Sequence, residues 1–144
     1  MIVLDTTILV YAKGADHPLQ LPCRTLLEAV AAGAIEATTT PEVIQEFAHV
    51  RSRRRRRRDA AQLAGAFAEL LSPLLPIEEV HLLAGLRLFE RHSRLGAFDA
   101  VLAAAALESG AEALISADTT FSDVRGLHHV VPGTRDFDRL LASR

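Results

Sequence analysis

The sequence predicts an α/β sandwich around a mainly parallel sheet of short strands, and three observations carry that prediction. Short apolar runs of strand character occur at Ile2-Val3-Leu4, Ile35 to Thr39, Ala113 to Ser116 and His128 to Val131. Long segments of helical periodicity separate the first three of them, as parallel strands require, because each parallel pairing needs a crossover. At 144 residues the chain has the length of one domain with an ordinary core, and no repeat or linker divides it, so a single domain over residues 1–144 is expected.

Each element follows in chain order. Ile2-Val3-Leu4 reads as a buried strand ending at Asp5, and Ile8 to Ala12 as a short helix closed by Lys13-Gly14. Pro18 to Ala32 is helical, with Leu26, Leu27 and Val30 on one side and Gly33 as its stop. After the β-branched strand Ile35 to Thr39, Pro41 opens a helix, since proline suits the first turn. Its stripe of Val43, Ile44, Phe47 and Val50 spans about 120°. Arg51 falls in the same arc, so that face is expected to leave the core near Val50.

An alanine- and leucine-rich helix is predicted over Asp59 to Leu75, ended by the Pro73 and Pro76 region, and another over Val80 to His92. Ala97 to Ser109 is apolar almost all round, with Asp99 near its start and Glu108 near its end, and such a helix should be buried. Ala113 to Ser116 stops just before Asp118, His128 to Val131 precedes Pro132-Gly133, and an amphipathic helix, Arg135 to Leu141, closes the chain.

Composition narrows the functional classes. With 49% apolar and 24% charged residues, the chain is globular rather than disordered. Cys23 has no partner for an internal disulfide, no basic leader precedes the first strand, and no apolar run approaches the roughly 18 residues of a membrane span. A cytoplasmic protein with no membrane association is expected. Net charge is only −2, but Arg51 and Arg53 to Arg58 supply seven of the 16 basic residues within eight positions.

In open α/β sheets ligands bind beyond the carboxyl ends of the strands, which singles out Asp5 and Asp118. Glu46 lies at about −60° from Val43, on the edge of its helix's apolar stripe, whereas Glu42 is further toward solvent. Asp99 opens the buried helix and can aim at the same cleft. Each acid has a plainer role open to it: Asp5 as a helix cap, Asp99 as a charge at a helix N-terminus, Asp118 in an Asx-turn, Glu46 as a rim residue. Four acids on one side form a pattern that caps alone do not explain. Packed together they need a counter-charge, and hard oxygen ligands suit Mg²⁺, with Mn²⁺ as the alternative. Zinc is disfavoured, because Cys23 is single and His128-His129 have no partners at ligand intervals.

Four segments carry a resemblance: Ile2-Val3-Leu4-Asp5-Thr6-Thr7; Pro41 to Phe47; Phe98-Asp99-Ala100-Val101-Leu102-Ala103-Ala104-Ala105; and Ile115-Ser116-Ala117-Asp118-Thr119-Thr120-Phe121. In order and spacing the chain resembles the PIN-domain nucleases, in particular the small VapC-like toxins of bacterial toxin–antitoxin pairs. That resemblance implies a PIN-like α/β/α sandwich and an RNA endonuclease using Mg²⁺ or Mn²⁺, usually dimeric and silenced by a cognate antitoxin. It matches Asp5, Glu46, Asp99 and Asp118 to the family's acidic quartet, as catalytic and metal-holding residues, and Thr7 to the hydroxyl supporting the first acid. Many relatives carry a further acid where this chain has Thr120, and Asp123 is the candidate substitute.

The arginines Arg53, Arg54, Arg55, Arg56, Arg57 and Arg58 are the expected contacts for RNA phosphates, a solvated loop and a partner contact being the other readings. A haloacid-dehalogenase-like phosphatase would need an acid where Thr7 stands, and a receiver domain a late lysine, whereas Lys13 is the sole lysine. The remaining alternatives are a catalytically weak RNA-binding or assembly module and a DNA nuclease.

Overall fold

The computed structural model describes residues 1–142; residues 143 and 144 of the expected single domain lie outside the described residues. Its elements run β1 (Ile2–Leu4), α1 (Thr6–Lys13), α2 (Gln20–Ala31), β2 (Ala37–Thr38), α3 (Pro41–Ser52), α4 (Arg57–Leu70), α5 (Glu79–Arg91) and α6 (Ala97–Glu108). These are followed by β3 (Leu114–Ile115), a 3₁₀ turn (Thr119–Asp123), β4 (His129–Val130) and α7 (Arg135–Ala142). Among the described residues the strands form one sheet in the order β2-β1-β3-β4, with every pairing parallel.

That order locates the site. From β1 the chain moves one way to β2 and then returns across β1 to β3, so the topology reverses between β1 and β3. Loops leaving the carboxyl ends of those two strands diverge there and open a crevice. Asp5 follows β1 and Asp118 follows β3 closely. The register Leu4 opposite Ile115, continued by Asp5 N–H to the Ile115 carbonyl at 3.0 Å, aligns the two strand ends.

Ile2, Val3, Leu4, Leu114 and Ile115 are fully buried, as strands covered on both faces should be. Helix α3 starts cleanly because Thr40 accepts from the Val43 amide at 3.3 Å and Pro41 occupies its first turn. Phe47 of α3 meets Phe67 of α4 edge to face at 5.0 Å between centroids.

Several boundaries differ from the sequence prediction. Helix α2 begins at Gln20 rather than Pro18, and the second strand contracts from Ile35–Thr39 to Ala37–Thr38, because Thr39 turns its hydroxyl onto the Leu4 carbonyl at 2.6 Å. The fourth helix is not Asp59–Leu75 but Arg57–Leu70: it recruits the last two arginines at its start and stops at Leu71, whose amide bonds the Phe67 carbonyl. The 3₁₀ turn was not foreseen. The α3 face does leave the core near Val50, which is half-buried, and Arg51 beyond it adds a polar contact to Asp59 of α4.

Helix α6 is not buried all round. Alanines at 100, 103, 104, 105 and 106 are buried, but Phe98 is 82% exposed. Helix α5 likewise leaves Val80, Leu82, Leu83, Leu86 and Phe89 about half-exposed. The two helices pack closely at Gly85, where a Cβ would lie 2.6 Å from both Cα and Cγ2 of Val101. Gly85→Ala should therefore push α5 off α6 and cost about 1–3 kcal/mol, the usual range for overpacking. Gly65 of α4 has nothing within 4 Å of its Cβ position, so Gly65→Ala should instead gain about 0.5–1 kcal/mol through helix propensity. Chemical denaturation of the two variants checks the opposite signs.

Candidate active site

One oxygen organises the centre. Asp5 is buried, and its Oδ2 accepts from Ser116 Oγ at 2.7 Å, from Thr7 Oγ1 at 2.8 Å and from the Thr7 amide at 3.3 Å. Those donors belong to the end of β3 and the first turn of α1. Each hydroxyl is itself anchored, Thr7 Oγ1 by the Ala117 amide and Ser116 Oγ by the Asp118 amide, both at 3.0 Å. With all three donors on Oδ2, Oδ1 is the oxygen left to face a ligand in the cleft that Asp5 lines.

Glu46 is exposed on α3, and its Oε2 accepts from Thr6 Oγ1 at 2.5 Å, a short bond of the kind carboxylates make with hydroxyls. Adjacent threonines on α1 therefore hold two different acids. Asp118 caps the 3₁₀ turn through its Oδ1 and the Thr120 amide at 2.9 Å. The capping roles expected for Asp5 and Asp118 are real and coexist with their place in the cluster: Asp5 also caps α1.

Asp99 stands in the first turn of α6, half-buried. Burial first, and then the carboxylates of Asp5, Asp118 and Glu46, push its carboxyl up to about 7. The acids are thus near enough to feel one another. Asp5, Glu46 and Asp99 share a cleft of about 680 Å³ with Thr40, Gln45 and His49 and with apolar walls from Leu82, Leu86, Phe98 and Val101.

The sequence matches the profile of the PIN domain family over residues 2–127. This chain is a PIN domain. It is 53% identical to Ribonuclease VapC7 of Mycobacterium tuberculosis over 145 residues, covering 100% of both chains. It is 33% identical to Ribonuclease VapC13 of the same organism over 128 residues, which cover 88% of this chain and 97% of the relative. Among solved structures it is similar to M. tuberculosis VapC20, described as a sarcin–ricin loop cleaving toxin, with TM-score 0.71, 18% identity, and coverage of 85% and 93%. VapBC2 from Rickettsia felis, bound to a promoter DNA fragment, also gives TM-score 0.71 at 18% identity, covering 91% of this chain and 98% of that one. The shared PIN fold is the parallel sheet with its reversal between β1 and β3.

Positions 120 and 123 take no part in the acidic cluster. Thr120 Oγ1 is buried with no hydrogen-bond partner among the described residues. Asp123, the candidate extra acid, lies 3.4 Å from Arg94 Nε, and the acids raising Asp99 do not include it. None of Arg53 to Arg58 lines the cleft; all six are exposed in the α3–α4 connection and at the start of α4. The sequence reading missed Thr6 and Ser116 as holders of Glu46 and Asp5. It also missed His129, whose Nε2 stands 3.0 Å from the Ser116 carbonyl, an acceptor only, so Nε2 carries the proton.

The donor set fits a hard divalent cation: several carboxylate oxygens, mutual repulsion in want of a counter-charge, and an orphaned hydroxyl beside Asp118. Among the described residues no three acid, histidine or cysteine side chains stand within joint reach of one ion. Direct contact would then involve one or two carboxylates, with water between the ion and the others, as Mg²⁺ commonly allows.

The raised Asp99 has a consequence for stability. Its folded-state value lies above that of the unfolded chain, so the stability it contributes is full below about 4 and is lost as pH rises through about 7. In chelator-treated protein, Asp99→Asn should therefore raise the Tm at pH 8 by a few degrees, after discounting for solvent screening. The difference should vanish near pH 4. A variant less stable than the parent at pH 8 would contradict the crowding of these acids.

Proposed function

We propose that this PIN domain is a Mg²⁺- or Mn²⁺-dependent endoribonuclease and the toxin of a toxin–antitoxin pair. The observation that carries the reading is the single cleft lined by Asp5, Glu46 and Asp99, in which burial first, and then the carboxylates of Asp5, Asp118 and Glu46, push the Asp99 carboxyl up to about 7. The names of the ribonuclease relatives support RNA as the substrate, and the structural neighbour VapC20, a sarcin–ricin loop cleaving toxin, supports the toxin role.

Asp5, Asp99 and Asp118 are the residues assigned to hold the cation, one or two of them directly and the rest through water. When bound, it supplies Lewis acidity, lowering the pKa of an attacking water and offsetting charge on phosphate oxygens. Asp5 presents a fixed oxygen because Thr7 and Ser116 immobilise its carboxylate. Glu46, steadied by Thr6 at the cleft edge, orients the water or reaches the cation through one. Asp99 holds a proton part of the time at neutral pH and gives it up when positive charge arrives. The apolar wall lowers the local dielectric, which strengthens each of these interactions.

The same reading gives the chain two protein partners, a cognate antitoxin and a second copy in a homodimer. The exposed apolar residues of α5 support a protein surface there, since such patches mark interaction sites. A cytoplasmic location accords with a substrate found there; among the described residues no helix is long and apolar enough to cross a membrane.

Purified protein should cleave RNA with Mg²⁺ or Mn²⁺, stop on chelation and resume on restoring either ion. Asp99→Asn should lower the rate at least about a hundredfold. Gel analysis of defined RNAs measures both, and cleavage by the Asn variant within about twofold of the parent would refute the assignment.

A further inference from the structure

The arginine turn is an ordered, exposed concentration of charge that the cleft does not use. Arg51 is only 18% exposed; its Nε donates to Asp59 at 2.8 Å and its Nη1 to the Lys13 carbonyl at 2.9 Å. That clamp ties α3 to α4 and to the end of α1. The backbone then turns tightly, with Arg53 N–H on the Val50 carbonyl and both Arg54 and Arg55 N–H on the Arg51 carbonyl. Arg53 to Arg58 all project into solvent.

Charge bookkeeping shows how polarised the molecule is. Residues 51–59 hold seven arginines against Asp59, six net positive charges, and since the whole chain carries −2 the remainder carries −8. Six neighbouring guanidiniums repel one another. Arg57 and Arg58 also sit at the positive end of the α4 dipole, an unfavourable place for a cation. A polyanion laid on the turn would relieve both costs, whereas the carboxylate cleft repels it.

Helix geometry links the turn to the cleft. At about 100° per residue, with Glu42 at 0°, Glu46 falls near 40°, His49 near −20° and Arg53 near 20°. Glu42, Glu46 and His49 line the cleft, and Arg53 caps α3 in helical conformation, so the same stripe leads out of the cleft onto the turn. From Glu46 to Arg53 the rise is about 10 Å, and from Asp5 to Lys13 along α1 about 12 Å. A stacked strand advances about 3.4 Å per phosphate, so that separation covers about three or four nucleotides.

We propose that the turn of Arg53 to Arg58 is an anchoring site for the RNA sugar–phosphate backbone, about three or four nucleotides from the bond that is cut, reached along the outer stripe of α3. The position relative to the cut rests on the nuclease reading; the binding itself does not. The site makes affinity depend on RNA length and leaves the chemical step alone.

The test compares the parent with Arg53, Arg54, Arg57 and Arg58 all changed to Gln, and with the same four changed to Lys. Arg51 and Asp59 stay intact, so the clamp is kept. Fluorescence anisotropy in chelator follows single-stranded RNAs from about three to about twelve nucleotides, which separates binding from cutting. For long RNA the Gln variant should bind about tenfold more weakly, with the slope of log K against log salt reduced by about 1.4 to 2.1 for two or three lost phosphate contacts. For the shortest RNA it should match the parent, and the Lys variant should keep most of the slope. With the cation restored, the loss should appear in KM and leave kcat unchanged.

Equal affinity and salt slope in parent and Gln variant would overturn the proposal, as would an equal loss for short and long RNA, which would put the arginines at the cut. Tight binding of duplex DNA without binding of RNA would overturn it in favour of a DNA-facing surface. A parent that binds RNA in this length-dependent way but cuts none with Mg²⁺ or Mn²⁺ would sink the nuclease reading and leave the anchor standing.

Discussion

Three donors meet on a single oxygen of Asp5, and much of the centre depends on that convergence. Ser116 brings the end of β3 to the carboxylate, Thr7 brings the first turn of α1, and the Asp118 and Ala117 amides lock the two hydroxyls in place. Asp5 lies where the strand order reverses between β1 and β3, so one carboxylate joins the two diverging halves of the sheet. A buried carboxylate without these donors would be costly to keep ionised. With them, its remaining oxygen keeps one direction.

A second layer of support holds the other acids. Thr6 points at Glu46 while its neighbour Thr7 points at Asp5, so one turn of α1 positions acids from two elements. Asp118 is fixed by the 3₁₀ turn it caps. Asp99 receives no such help. It stands on α6 and bears burial first and then the repulsion of the other acids, which together push its carboxyl up to about 7. The negative cleft and the positive turn are then two ends of one charge distribution, separated by the length of α1 and most of α3.

Much of this was legible in the residues themselves. The parallel sheet could be read from short apolar runs separated by helical segments, and Asp5 and Asp118 from their places at strand ends. Asp99 could be read because a single acid in an apolar helix is conspicuous. Thr6, Ser116 and His129 were not, because a threonine or serine at a strand or helix end has many ordinary uses, and which acid it serves depends on contacts up to 111 positions apart in sequence. The exposed side of α6 was misjudged because composition reports how apolar a helix is, not how much of it a neighbour covers; α5 meets it along one line, at Gly85 and Val101, and leaves Phe98 uncovered. The arginine run looked uniform, yet Arg51 is a structural clamp while its successors are exposed, a division set by Asp59 and the Lys13 carbonyl.

The central claim is that burial and the neighbouring acids together make Asp99 hold a proton that positive charge displaces. Calorimetric titration of the protein with Mg²⁺ in buffers of different ionisation enthalpy measures that proton directly. With Asp99 at about 7, binding at pH 7 should release about half a proton, rising toward one near pH 6 and falling to none near pH 9, and Asp99→Asn should release none at any of these. Proton release that is independent of pH in the parent, or that survives in Asp99→Asn, would contradict the account.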